Sequence, residues 1–328
     1  MAGALALAGA RNPASAQQTG KYAPRIVCNM YYYVQLFSTP FRFISTPPDP
    51  LLKKAAATPP SPQAPAPTGG TEWSREQWYT ALSDVADAGY RRLEMISGTL
   101  TAKPIPEILA LLEQYGLTIN HFYHGGRLYP QEVQDKTIAR AVEILDYCEP
   151  LKPPEFMFDP FGDRGPISDE DARLQNRGFD RMGRIIRDRG MKMLVHNHSG
   201  PMRYGAKEWL GVVRNTDPAL VSMCLDLDWT LHAGTDPLPL LYEAGDKGRL
   251  GALHLRTSRN GVTDQTMEDG GDIDFYRVAV YLKKIRFDGT LVEETEWMKE
   301  TEVTRSAREN KRLARIWCEK VFGVSAKA

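Results

Sequence analysis

Two hydrophobic periods alternate along most of this chain. Short runs rich in β-branched, leucine and aromatic residues read as buried strands, and longer runs with apolar residues three or four apart read as helices. Residues 25–33, Arg-Ile-Val-Cys-Asn-Met-Tyr-Tyr-Tyr, predict the first strand. After Thr71-Glu72-Trp73-Ser74, a helix start, Trp78, Leu82, Val85 and Ala86 keep helical spacing until Ala88-Gly89-Tyr90 ends the run. Strands are then predicted over 92–96, 117–123, 155–159, 192–196, 220–226, 250–255 and 290–294. Helices fall between them over 104–115, 131–147, 168–189, 206–214, 237–244 and 275–285, with a closing helix over 302–322. Eight strand–helix pairs in strict alternation mean parallel strands joined by helical crossovers. The predicted fold is α/β, a (β/α)8 TIM barrel over residues 25–325, with its chemistry at the C-terminal strand ends. An open doubly wound sheet is the alternative. It calls for a Gly-rich turn after the first strand, where this chain has Cys28-Asn29-Met30.

Two segments break the pattern. From about 38 to 70 the composition turns to Pro, Ala, Ser and Thr, including Pro59-Pro60-Ser61-Pro62, so a flexible Pro-rich insertion is expected after the first strand. Residues 1–18 are apolar and Ala-rich and end near Ala14-Ser15-Ala16, as the back half of a signal peptide does, although no basic residues precede the run. The expectation is a signal-peptide remnant and an exported, periplasmic protein; if these residues are an ordinary disordered tail, the protein is cytoplasmic. No later run approaches the ~20 apolar residues of a membrane span.

Among 328 residues, 41 basic side chains balance 41 acidic ones, and no basic stripe marks a nucleic-acid surface. Cys28, Cys148, Cys224 and Cys318 form no CxxC pair and read as single buried thiols.

The candidate chemistry sits on the last four strands. Strand five ends His196-Asn197-His198, strand six Asp226-Leu227-Asp228, strand seven carries His254-Leu255-Arg256, and strand eight runs through Glu293-Glu294 to Glu296. The acid-x-acid spacing of Asp226 and Asp228 puts both carboxylates on one side of a strand. Four neighbouring strands thus deliver His, Asp, His and Glu to one rim, a set suited to Mn, Co, Zn or Fe, with Mg less natural. Trp229 offers an apolar face for a substrate or packs in the core. His121 and His124 follow strand three and Glu94 ends strand two, as candidate substrate contacts or structural residues; His232 is expected to begin the next helix.

The ordered series Ala88-Gly89-Tyr90-Arg91-Arg92-Leu93-Glu94, His196-Asn197-His198, Leu225-Asp226-Leu227-Asp228-Trp229, Leu253-His254-Leu255, Gly271-Asp272-Ile273-Asp274-Phe275 and Phe287-Asp288-Gly289 resembles the xylose isomerase-like TIM barrels. This sugar phosphate isomerase/epimerase superfamily includes ketose 3-epimerases, hydroxypyruvate isomerase and inosose dehydratase. The resemblance implies a divalent metal held by Asp226, His254 and Glu294, with Glu296 the fallback for Glu294. His196 or His198 supplies the fourth position; we assign His198 to the metal, and His196 with Glu294 to proton transfer. Asp228, Trp229, Arg256, His124, Glu94 and Glu296 become substrate contacts. The chain departs from the 3-epimerases in having histidines where they place a catalytic Glu on strand five. The expected activity is isomerisation or epimerisation of a sugar or keto-sugar through an enediolate. The alternative is a lyase or dehydratase acting on a keto-sugar or inosose at the same site. An endonuclease IV-like enzyme is less compatible with the charge balance and the leader-like residues 1–18, and a non-catalytic carbohydrate-binding barrel is the last alternative. The expected partner is a small carbohydrate, with no nucleic acid and no membrane span; a homo-oligomer is compatible with the sequence.

Overall fold

A computed structural model describes residues 20–38, 72–160 and 166–327. The expected leader over 1–18 and the insertion from 39 to 70 lie outside the described residues. Eight parallel strands close into a barrel: β1 (Arg25–Asn29), β2 (Arg92–Ile96), β3 (Thr118–Gly125), β4 (Glu155–Asp159), β5 (Lys192–Val195), β6 (Val221–Asp226), β7 (Leu250–Leu255) and β10 (Thr290–Glu293). Two-residue strands β8 (Ser258–Arg259) and β9 (Val262–Thr263) form a small hairpin after β7. The barrel closes where β1 pairs with both β10 and β2, Cys28 lying opposite Glu293 on one side and Leu93 on the other.

Local sequence sets the element ends. Ser74 and Gln77 form a reciprocal capping box at the start of helix Arg75–Ala88, and Gly89, at φ +97°, takes the left-handed turn that ends it. The entry to β10 needs a glycine for a different reason. A Cβ on Gly289 would lie 2.2 Å from the Gly251 carbonyl oxygen, so any side chain there would push β10 off β7. Most of the core lies between strands and helices, with Trp78, Tyr90, Phe122, Phe156, Phe158, Phe179 and Trp209 fully buried. Inside the barrel a small apolar layer of Met157, Leu194, Cys224 and Ala252 fills the β4–β7 side. All four cysteines are free and buried. Among the described residues no helix is long and apolar enough to cross a membrane.

Two local expectations are corrected. The first strand stops at Asn29, and Tyr31-Tyr32-Tyr33 opens a helix, Tyr31–Ser38. The Asn29 side-chain oxygen accepts the Tyr31 backbone N–H at 2.5 Å and turns the chain, so aromatic content that resembled strand serves helix packing. The second concerns strand six, which ends at Asp226. Asp226 is the N-cap of a helix, Leu227–His232, its Oδ1 accepting the Trp229 N–H at 2.7 Å. Asp228 therefore lies in the first turn of that helix and is not a strand neighbour of Asp226, and His232 ends the helix instead of beginning one.

Candidate active site at the carboxyl ends of β5, β6, β7 and β10

Alternation along parallel strands turns every second side chain inward, and parallel register brings the strand ends level. Asp226 lies opposite His254 across the β6–β7 ladder. Just past the strands, His196 and Glu294 are held in place by backbone bonds, His196 N–H to Phe158 O at 2.9 Å and Glu294 N–H to Leu255 O at 3.1 Å. The result is one cluster: donor atoms of His196, Asp226, His254 and Glu294 all lie within 4.8 Å of one another. Within it, His254 Nδ1 is 2.6 Å from Glu294 Oε2 and 4.0 Å from Asp226 Oδ2, and His196 Nε2 is 3.5 Å from Asp226 Oδ2. Asp226 and His254 are fully buried, and Glu294 is 7% exposed.

The two histidines, expected to divide metal binding and proton transfer between them, differ in their neighbours, and His196, His198 and Asp159 also form a second group of possible donors. His196 belongs to the four-residue cluster, whereas His198 Nδ1 pairs with Asp159 Oδ2 at 2.7 Å. The chain has left β5 at Val195, and His198 is the residue from which helix Ser199–Met202 starts, so it swings toward the end of β4. Burial lowers the His198 pKa, but the Asp159 carboxylate more than offsets this and raises it to about 9. His196 is held below its ordinary value by burial and by His254, which leaves a neutral imidazole. Its Nδ1 meets the Tyr123 hydroxyl at 3.2 Å, and its Nε2, buried and without a hydrogen-bond partner, faces the cluster.

Arg256 binds the rim together. Its guanidinium reaches Asp226 Oδ2 at 2.7 Å, pairs with Glu296 Oε2, and lies 4.7 Å from the centre of the Trp229 ring. Asp228 sits behind it, fully buried, with Arg256 Nε at 3.8 Å and His232 Nε2 at 3.6 Å from its Oδ2. Burial raises the Asp228 carboxyl above its ordinary value despite Arg256. Burial, with Glu294 nearby, pushes Glu296 up to about 7 against the opposing pull of Arg256. Burial acts the same way on Asp226 and Glu294. There it is overcome, by Arg256 and His196 for Asp226 and by His254 and Arg256 for Glu294, and both stay ionised.

Two ionised carboxylates, Asp226 and Glu294, thus converge with two imidazoles in a poorly solvated space. The donor set fits a divalent ion: two imidazoles and two carboxylates, with one imidazole nitrogen unpartnered. Asp226 Oδ2, although it accepts from Arg256, keeps a second lone pair.

Glu94 lies lower in the barrel, completely buried. Its Oε1 accepts from Asn29 Nδ2, and its Oε2 faces His121 Nε2 and, at 3.2 Å, His254 Nε2. Burial raises its carboxyl, but His254 and His121 more than offset that and hold it well below the usual range. Asn29, His121, Tyr123 and Asp159 complete the setting. Among them only His121 was singled out by sequence reasoning, and polar residues at the ends of β1, β3 and β4 were the available signal.

His124 stands apart. It meets Ser97 Oγ at 3.0 Å and packs between Phe156 and Phe158, away from the cluster, and burial lowers its pKa to about 4. A depressed histidine contributes stability that is whole above its unfolded pKa, near 6.5, and is lost as pH falls through about 4. His124→Asn should therefore lose less stability than the wild type between neutral pH and the acid limb. The difference, roughly 3 kcal/mol, is measurable by urea unfolding across that range. Parallel curves for the two proteins would contradict it.

Among known proteins, the chain is similar to the inosose dehydratase of Geobacillus kaustophilus, 26% identical over 262 residues that cover 69% of this chain and 82% of that protein. The Salmonella typhimurium inosose dehydratase is 27% identical over 172 residues, 47% of this chain and about half (52%) of that protein. Solved structures share the fold. A sugar phosphate isomerase/epimerase from Parabacteroides distasonis superposes with TM-score 0.62 at 17% identity, covering 94% of this chain and 97% of the other. The D-psicose 3-epimerase of Clostridium cellulolyticum gives TM-score 0.62 at 17% identity, covering 76% and 95%. The family described as xylose isomerase-like TIM barrel matches residues 82–317, which hold all the rim residues named above. With that match and the closed parallel barrel, this chain belongs to the xylose isomerase-like TIM barrel family.

Proposed function

We propose that the chain is a divalent-ion-dependent enzyme that removes a proton next to the carbonyl of a keto-sugar or keto-polyol. Returning that proton to another carbon or another face completes an isomerisation or epimerisation. The observation that carries this reading is the buried cluster of His196, Asp226, His254 and Glu294 with an unpartnered imidazole nitrogen. These four residues would hold the ion. When bound, it would polarise the substrate carbonyl and make the neighbouring C–H more acidic.

The remaining steps belong to the protein. Glu294 is the base: it is ionised, lies at the rim, and is steadied by Asn29 Nδ2 at 3.2 Å from Oε1 and by His254 at Oε2. Arg256 holds Asp226 and Glu296 in place and spreads positive charge over the site. Trp229, half-buried beside Arg256 and 5.4 Å from the His198 ring, offers a flat apolar face for sugar C–H groups. His198 and Glu296, the more exposed members, mark the opening to solvent.

A second reading, elimination of a β-hydroxyl as in a dehydratase, is favoured by one feature of this chain. Strand five presents His196 where a two-glutamate epimerisation needs a second carboxylate, and the named sequence relatives are inosose dehydratases. The export expected from residues 1–18 favours an unphosphorylated substrate.

Dialysis against EDTA is expected to abolish turnover of keto-sugars and keto-polyols, and Mn2+ or Co2+ to restore it. Proton NMR in D2O reads the outcome. Deuterium uptake beside the carbonyl with the hydroxyl count kept marks isomerisation or epimerisation, and an absorbing enone marks elimination. Full turnover in metal-free, chelator-treated protein would sink the proposal.

A further inference from the structure

Glu94 is at the same time completely buried and tied to three donors, Asn29 Nδ2, His121 Nε2 and His254 Nε2. Its strand-end position implies a substrate contact, and its partners in the structure are these three side chains. We propose that Glu94 is a positioning residue: it holds the proton of His254 on Nε2, so that Nδ1 is the nitrogen turned to Asp226, Glu294 and the ion. The inference rests on the ion reading above and adds to it the group that decides how His254 is presented.

With the Nδ1 lone pair given to the ion, the neutral imidazole would keep its one N–H on Nε2, and an ionised carboxylate only accepts, so Glu94 would take that hydrogen. His254 Nε2 lies 3.2 Å from Glu94 Oε2, and Nδ1 lies on the opposite edge of the ring, 2.6 Å from Glu294. Without a fixed acceptor below, the ring is free to place its hydrogen on Nδ1 toward Glu294. That would satisfy the carboxylate and close the donor set to a metal ion.

Glu94 is itself anchored. His121 Nδ1 lies 3.4 Å from Glu155 Oε2, and Asn120 Nδ2 bonds the same oxygen at 2.7 Å. Glu155 is held further by Arg25 at 2.8 Å and by the Thr290 hydroxyl at 2.8 Å. A polar column thus runs from the floor of the barrel to the underside of His254, and its last member fixes the ring.

Two measurements test this on the full-length protein. The first is Mn2+ affinity by calorimetry for the wild type and Glu94→Gln. The glutamine must turn its NH2 group either to the Asn29 Nδ2 donor or to the two histidine nitrogens that now share Oε2, and affinity is expected to fall about 10–100-fold, the usual effect of losing such a partner. The second needs no variant: long-range 1H–15N spectra of Zn2+-loaded wild type carrying labelled histidine. His254 is expected as the Nε2–H form with metal on Nδ1, and a purely structural Glu94 would lower stability without setting that assignment. Equal Mn2+ affinity in E94Q, or a His254 metallated at Nε2, would overturn the positioning role and leave the ion site standing. Failure of the wild type to bind Mn2+ or Zn2+ would overturn both.

Discussion

Asp226→Asn is expected to remove divalent-ion binding and turnover together while leaving the barrel folded. The substitution keeps the shape and an acceptor oxygen, so the Trp229 N–H that Asp226 Oδ1 now caps still finds a partner. It replaces the other oxygen, the one 2.7 Å from Arg256 and 3.5 Å from His196 Nε2, with a group that repels cations. Arg256 keeps its pair with Glu296, so the fold should lose no more than about 2 kcal/mol. Ion affinity should fall by more than the ~100-fold that loss of an outer partner costs, because a direct ligand has gone. Asp228→Asn is the control. It alters an equally buried acid of the same loop whose oxygens lie outside the donor cluster, so ion affinity should stay within a few-fold of wild type. Calorimetric titration with Mn2+, beside thermal unfolding of each variant, reads both. Undiminished Mn2+ affinity in the Asp226→Asn variant would remove Asp226 from the site.

How far the sequence foretells this site follows from which rules are periodic. In a parallel barrel, strand ends share one rim, so an inward His, Asp, His and Glu at the ends of four successive strands were readable as neighbours, and they are neighbours. The periodic rule still holds for His196 and Glu294, one residue past their strands, and fails beyond that. His196 and His198 look equivalent by alternation, yet what separates them is Asp159, a residue from another strand. Asp226-Leu227-Asp228 reads equally well as a strand pair and as an N-cap with an acid in the first turn, and only the helix it starts decides between them. Glu94 meets His121 through a register shift between Leu93 and Glu94 in the β2–β3 ladder, an irregularity that strict alternation does not encode. The Tyr31–Tyr33 run fails for a similar reason, since the turn is made by the Asn29 side chain and not by any change in the pattern.

The largest effect on stability is expected well away from the donor cluster. Glu293 and Glu294 are adjacent on the last barrel strand and point to opposite faces, Glu294 to the rim and Glu293 outward against helix Ala307–Phe322. There Lys311 Nζ lies 3.0 and 3.2 Å from the two Glu293 oxygens and 4.8 Å from the centre of the Tyr32 ring, and both side chains are essentially without exposed surface. Tyr90 and Thr295 donate to the same carboxylate at 3.2 and 2.6 Å, so it is fully bonded. Lys311→Met fills the space with an apolar chain of similar length but leaves a buried carboxylate without its counter-ion, which costs about 3–5 kcal/mol. Removing the carboxylate's charge as well, in Lys311→Met with Glu293→Gln, should return much of that loss, because a well-packed neutral pair avoids the desolvation of both ions. Urea unfolding of the two variants beside the wild type separates the cases. A single variant within about 1 kcal/mol of wild type, or a double variant no better than the single, would mean that the ion pair is not what joins the closing helix to β10.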